Sequence, residues 1–537
     1  MSLASSVPAE PARRDAGGYA RGMSSRNADV RAALEFHAAT RYWRGGDGIV
    51  MGTPPDVENG IWEEDRSLEP YPFKVYETLE PIAIPRDVPP SPSELPALAA
   101  VSATGRDGTG APDLALLARI GRLSNGLLDR TVTVRGTTIT YRTAGGTGAR
   151  YHLELYFACA DLPGLGAGLY HYAAHDHSLR RVRSGDVRSA LGVEAPVVLA
   201  VTSTFWRNAW RYKARAYRHA FWDAGTSLSQ ALAVAASAGV PAELVLGFAD
   251  QEVNAVLGID GVREATVALC ALGHGGAPAP ELAALPPLDL PVRPVSPREV
   301  EFPAIPAMHL ASSLDTAAEA AAWRSRSVDA DRPEPAGPLT TLDPLPDDAL
   351  PPEPVEEVIL RRRSTRNYDT SVELGFRDFS TLLDRSSRAY AADVRPPLDC
   401  YLIVNAVEGL TPGVYLHHPA RGAVELLRAG DFRADAARIA VGQEYCANAH
   451  VNAYWLADLG PLLAAYGNRG YRAAQLTSAL QAGKLHLGTH ALGLGAVGST
   501  SADDEVVEFF SPHAAGKSYL FVTVFGVKRP RTASPRP

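Results

Sequence analysis

Tyr156, Gly168, Tyr170, Arg183, Gly185, Asp186 and Arg188 recur 245 positions later as Tyr401, Gly413, Tyr415, Arg428, Gly430, Asp431 and Arg433. After a short insertion the interval becomes 254, pairing Tyr212, Arg215, Tyr217, Arg218 and Gly239 with Tyr466, Arg469, Tyr471, Arg472 and Gly493. Such constant offsets mark a tandem duplication, so the chain must fold as two related units, each with the same apolar faces to cover.

Each half reads in one order: an alternating strand (YHLELYFAC; LDCYLIVNA), a Gly turn, a second strand, then a long helix. The helix is predicted over Arg215 to Ala238 in half one and Arg469 to Leu492 in half two, each stopped by a glycine. A last apolar strand (EATVALCALG; KSYLFVTVFG) closes each half. The class is α+β, with helices on a mostly antiparallel sheet.

Residues 1–28 lack apolar periodicity and read as a mobile tail, with order expected from Asp29. The assigned units are a leader at 29–95, domain one at 96–277, a Pro-rich connector at 278–352, domain two at 353–530 and a tail at 531–537. Prolines in the connector are too frequent for helix or interior strand, save for one helix expected from Ser313 to Arg324.

The 537 residues are 46% apolar and carry a net charge of -8, enough apolar surface for large cores and no basic excess for nucleic acid or an anionic membrane. No run approaches the roughly 18 apolar residues of a membrane span, and the N-terminus has no continuous apolar segment, so a cytoplasmic protein is expected. Cys159, Cys270, Cys400 and Cys446 are scattered, without metal or disulfide spacing, and read as packing residues. His171, His175 and His177 invite a metal reading, but the second copy does not keep their spacing; strand-turn positions are expected, and no metal site.

Half two opens on Arg362-Arg363-Ser364-Thr365-Arg366. Guanidinium groups match phosphate oxygens in planar, two-point geometry, and the serine adds a neutral donor; a solvated basic helix face is the alternative. In half one Gly145, Gly146, Thr147 and Gly148 form a loop able to approach a flat ligand with its amides, or a plain hairpin turn. Gly493-Leu-Gly495-Ala496-Val497-Gly498 fits G-x-G-x-x-G but follows a helix, which excludes a dinucleotide fold of the Rossmann kind. Patterns for serine hydrolases, zinc proteases and P-loops are absent.

RRRSTRNYD resembles the R-R-S-x-R-x-[YF] signature of nitroreductase-fold flavoproteins, and Arg142-Thr-Ala-Gly-Gly-Thr-Gly-Ala-Arg-Tyr-His-Leu-Glu-Leu-Tyr156 resembles a segment of the SagB-type (McbC-like) dehydrogenase branch. HAATRYWRGGD and PYPFKVYETLEPIAIPRDV resemble elements that precede such domains. The resemblance implies two fused subunits forming a pseudo-dimer, an FMN cofactor at their interface, and oxidation of azolines to azoles in peptide natural products. It assigns the FMN phosphate to Arg362, Arg363, Ser364 and Arg366, with Lys528 or Arg529 as a last contact, although a solvated basic tail explains those two as well. The ring falls to Gly145–Gly148 of the other half and to Gly493, Gly495, Ala496, Val497 and Gly498.

Half two keeps the arginines without the loop, and half one keeps the loop without the arginines, so one FMN per chain is expected. The branch motif K-Y-x-x-R-x-Y-R becomes Arg211-Tyr212-Lys213-Ala-Arg215-Ala-Tyr217-Arg218 and Ala465-Tyr466-Gly-Asn-Arg469-Gly-Tyr471-Arg472. Arg211 cannot serve as a base, which leaves Tyr212, Lys213 and Tyr466 as catalytic candidates, or the tyrosines as caps between sheet and helix. The implied partners are a small or peptide-borne heterocycle and a cyclodehydratase complex, and the fused chain can pair again as a homodimer. An NAD(P)H-fed reductase and a catalytically degenerate scaffold subunit are the competing functions.

Overall fold

The computed structural model describes residues 25–45, 48–51, 65–87, 94–106, 108–134, 137–275, 278–281, 285–328 and 334–530. Residues 1–24 and 531–537 of the expected tails, with parts of the leader and connector, lie outside them.

The duplication is visible as two seven-stranded antiparallel sheets of matching order. The first runs Ala242–Val245, Glu264–Leu272, Val197–Thr204, Leu153–Cys159, Gly168–Ala173, Ser178–Ser184, Pro81–Ala83. Its counterpart runs Gly495–Ser499, Ser518–Gly526, Val451–Ala457, Asp399–Val404, Gly413–His418, Ala423–Ala429, Leu339–Thr341. The last strand of each comes from the leader or the connector, and it pairs with the same neighbour in both halves.

The long helices are Ala216–Ser237 and Asn468–Ala491, within a residue or two of the expected bounds. Gly239 and Gly493 follow them at φ +68° and +75°, left-handed positions that end a helix at little steric cost. Both helices are buried nearly throughout and pack on each other in the core shared by the halves. The approach is close: a Cβ on Gly225 would sit 2.5 Å from the carbonyl oxygen of Leu476. Trp222 donates across the contact to Gln475 at 2.6 Å and packs edge-on against Phe521. A smaller core lies on the outer face of each sheet.

Two boundaries differ from expectation. Order begins before Asp29, because Ser25–Ala28 is helical and Asn27 caps the long helix of half two, its amide oxygen accepting from Arg469 N at 2.8 Å. The connector carries two helices, Ala304–Ala311 and Ala317–Arg324. Between them the Leu314 amide is drawn out to Asp250 (2.9 Å), and Thr316 caps the next helix by accepting from Glu319 N.

The connector is in fact the second copy of the leader. His37-x-x-Thr40 and His309-x-x-Ser312 lie 272 positions apart, an interval different from the other two. Arg215 and Arg218 grip Asp503 (3.0 and 2.5 Å) and donate to the Thr40 and His37 carbonyls, while Tyr42 N donates to the same carboxylate. Arg469 and Arg472 grip Asp250 (2.5 and 2.6 Å) and donate to the Ser312 and His309 carbonyls, with Leu314 N in the place of Tyr42 N. The R-x-Y-R half of the repeated motif is therefore a buried clamp on the entering chain.

Candidate functional site

The helix Val355–Arg361 ends where Arg362 turns extended (ψ 139°), which sends its side chain inward to half one. Its Nε and Nη2 donate to the carbonyl of Thr143 (3.3 and 2.8 Å), two residues before the Gly loop. Arg362 is buried, and burial first, then Arg363, lowers its pKa to about 10. No carboxylate among the described residues pairs with it, and a buried unpaired cation costs several kcal/mol, on the order of 3–5 where pairs have been broken. An anionic ligand group beside it would remove that penalty.

More cationic and polar groups gather here. Lys528 and Arg529 run antiparallel to the motif, through a Tyr368–Lys528 bridge and an Arg529 N to Asn367 O bond, and burial and Arg361 lower the Lys528 pKa. Ser364 and Arg366 are exposed and Arg363 half-buried. Below them His486 and His490, one turn apart on the long helix, face each other at 5.2 Å. Burial and then Arg362 hold both imidazoles neutral, His490 at about 3, and neither Nε2 has a partner among the described residues. Histidines spaced four apart on a predicted helix were the available sequence signal.

The Gly493–Gly498 stretch follows a helix, as expected, and enters the strand Gly495–Ser499. Thr365 N donates to Ala496 O (3.0 Å), and a Cβ on Gly495 would lie 2.5 Å from the Thr365 hydroxyl. These glycines bring the arginine segment onto the sheet edge; Val497 is buried beside them in the outer core of half two.

The Gly145–Gly148 loop is held rigidly. Thr147 donates through both its amide and its hydroxyl to Asp223 (2.9 and 2.8 Å), and its carbonyl accepts from Asn208. Asp223 also bonds His152 Nε2 at 2.8 Å, whose other nitrogen meets Ser203. Gly145 is open, with nothing nearer to a Cβ there than Arg362 Nη1 and Thr226 at 3.8 Å. At Gly148 (φ +62°) a Cβ would overlap the Tyr212 hydroxyl. Asp223, Asn208 and His152 carried no sequence signal, since half two has Thr477 where half one has Asp223.

Tyr212 thus joins the loop, but burial pushes its pKa up to about 12, outweighing the opposing Arg211. It is a protonated donor at neutral pH and does not have the lowered pKa a base requires. Lys213 beside it is half-buried, at φ +50° and ψ −140°. Tyr466 is not brought to this cluster: its hydroxyl donates to Arg326 O (3.1 Å) and its ring packs on Trp323, both from the connector.

The symmetry-related position is closed. Ala391 N donates to Thr104 O (2.7 Å), Leu244 N to Ala391 O, and a Cβ on Gly105 would lie 2.6 Å from Ala242 O. Lys484 fills what remains, donating to Arg388 O at 2.7 Å, and the cavity left has about 10 Å³. The histidines of the turn each serve a local contact, His171 to Glu154, His177 to Tyr172 and Pro85, and His175 beside Asp176. All four cysteines are free thiols. Among the described residues no helix is long and apolar enough to cross a membrane.

This is a nitroreductase-like α+β fold with two fused domains. A crystal structure of an Anabaena variabilis protein named as a nitroreductase superposes with a TM-score of 0.70 at 23% identity, over 93% of this chain and 99% of that one. Residues 159–274 match the nitroreductase family model. A Methanocaldococcus jannaschii protein named as a nitroreductase is 27% identical over 128 residues, 22% of this chain, which spans 65% of that relative's length. A chain of the E. coli microcin synthetase McbBCD complex aligns at 14% identity over 49% of this chain and 99% of its own, with a TM-score of 0.27, too loose a superposition to carry weight.

Proposed function

We propose that the protein is an FMN-dependent oxidoreductase holding one FMN per chain between its halves. Arg362, Arg363, Ser364, Arg366 and Lys528 bind the phosphate, and the Gly145–Gly148 loop and the Gly493–Gly498 segment flank the ring. The observation that carries this reading is Arg362, a buried cation with no carboxylate partner among the described residues, donating to the carbonyl of Thr143 just before the loop of the opposite half. The flavin supplies two-electron redox chemistry, and the chain binds it, orients the substrate and excludes water.

Within that class the chain acts as a SagB-type dehydrogenase, oxidising an azoline-type heterocycle in peptide natural-product biosynthesis, in the cytoplasm and beside a cyclodehydratase. The motif resemblance at Arg142–Tyr156 and Arg361–Asp369 supports this. A second direction has its own support: protonated Tyr212 against Gly148 suits proton delivery to a reduced product, as in an NAD(P)H-fed reductase.

Purified protein should carry one equivalent of FMN, and Arg362→Ala should release it with the fold intact by circular dichroism. Retention of FMN by that variant, or two equivalents per chain, refutes the composite site. Anaerobic addition of NADPH or of an azoline peptide, with flavin absorbance as the readout, separates the two directions.

A further inference from the structure

A cavity of about 680 Å³ adjoins the Gly loop on the side of Ala149, Arg150 and Tyr151. Its volume lies within the usual range for small-molecule sites. One wall is chain that the duplication does not repeat: the hairpin Leu127–Val134 and Thr137–Arg142 occurs in half one, where half two passes from the helix Phe376–Ser387 to strand Asp399–Val404 without one. The opposite wall is leader zipped to connector, Tyr71 N to Val295 O (2.6 Å), Arg293 N to Val75 O and Glu77 N to Pro291 O. Prolines on this wall, Pro70, Pro72, Pro294 and Pro297, stiffen it in advance of binding.

The lining combines flat rings with surplus positive charge. Tyr71, Phe73 and Tyr151 present aromatic surface, and three arginines face one carboxylate. Arg150 is matched by Glu69 at 2.6 Å and lies over Trp210. Arg142 is committed to the Asn125, Leu153 and Pro72 oxygens. Arg293 lines the cavity, exposed, stacks on Tyr71 at 3.8 Å and is paired with no carboxylate among the described residues. A guanidinium fixed on a ring is preorganised for two-point binding of a carboxylate.

We propose that this cleft binds a planar, carboxylate-bearing molecule, with Arg293 taking the carboxylate and Tyr71, Phe73 and Tyr151 bracketing the flat portion. Tyr151 links the cleft to the cofactor site, because its ring lies against Gly146 and it is an electrostatic neighbour of Arg362. As a statement about the substrate of that site, the proposal rests on the oxidoreductase reading; as a binding site it stands alone.

Calorimetry with benzoate and with benzamide as probes tests it on the full chain. Benzoate should bind at least about tenfold tighter than benzamide, and Arg293→Ala should remove that preference while Arg293→Lys keeps part of it. Equal binding of the two probes, no heat with millimolar benzoate, or an unchanged preference in Arg293→Ala overturns the proposal. FMN content is measured on the same samples: its absence with the benzoate preference intact refutes the redox reading and leaves the cleft, and the reverse pattern does the opposite.

Discussion

Lys213 occupies a backbone conformation that the other half gives to glycine. It lies at φ +50°, ψ −140°, and its counterpart Gly467 at φ +65°, ψ −162°, both at the step from a short helix into the long one. A side chain held there costs about 1–3 kcal/mol, and strain of this kind persists where function retains the residue. Replacing Lys213 by Gly releases the strain but returns about 0.4–1 kcal/mol of chain entropy to the unfolded state. The net expectation is a gain on the order of 1 kcal/mol. Lys213→Ala is the control, since it removes the amine and keeps the Cβ. Urea unfolding followed by tryptophan fluorescence should place the midpoint of Lys213→Gly above the wild type and above Lys213→Ala, while both variants lose turnover equally if the amine serves the reaction. A glycine variant no more stable than the alanine variant would refute the strain, and undiminished turnover in both would remove Lys213 from the site.

Asp223→Ala frees Thr147 from two charge-assisted bonds worth about 1.5–3 kcal/mol each and should weaken FMN binding more than tenfold by fluorescence titration, with secondary structure unchanged. Burial opposes ionisation of Asp250, but Arg469 and Arg472 hold its pKa at about 2. A depressed folded-state value stabilises above the unfolded pKa near 3.9 and is lost as pH falls through the folded one, so stability on the order of 2 kcal/mol should disappear between about pH 4 and 2, and Asp250→Asn should flatten that slope. Burial, with Arg388, lowers Lys484 to about 7. The unfolded chain keeps that proton up to about pH 10, so the group costs stability increasingly as pH falls from about 10 to 7 and by a constant amount below, and Lys484→Met should raise the unfolding midpoint more at pH 6 than at pH 9.

The repeat offsets disclosed the two halves, the long helices and their glycine stops because these depend on local periodicity and on backbone positions that one residue type suits best. The Arg362 run and the Gly loop were legible as separate pieces, and their unequal distribution between halves pointed to a single composite site. Tertiary packing decided what a local pattern cannot encode. It identified the Pro-rich connector as a second leader, since the carbonyls that meet the paired arginines and the amides that meet Asp503 and Asp250 are backbone groups with no signature. It took Tyr466 away to the connector, kept Tyr212 protonated by burying it, and supplied Asp223, His486 and His490 from chain remote in sequence. Composition and spacing named the groups that could do chemistry; their protonation, pairing and company follow from desolvation and contact, which exist only once both copies close on one another.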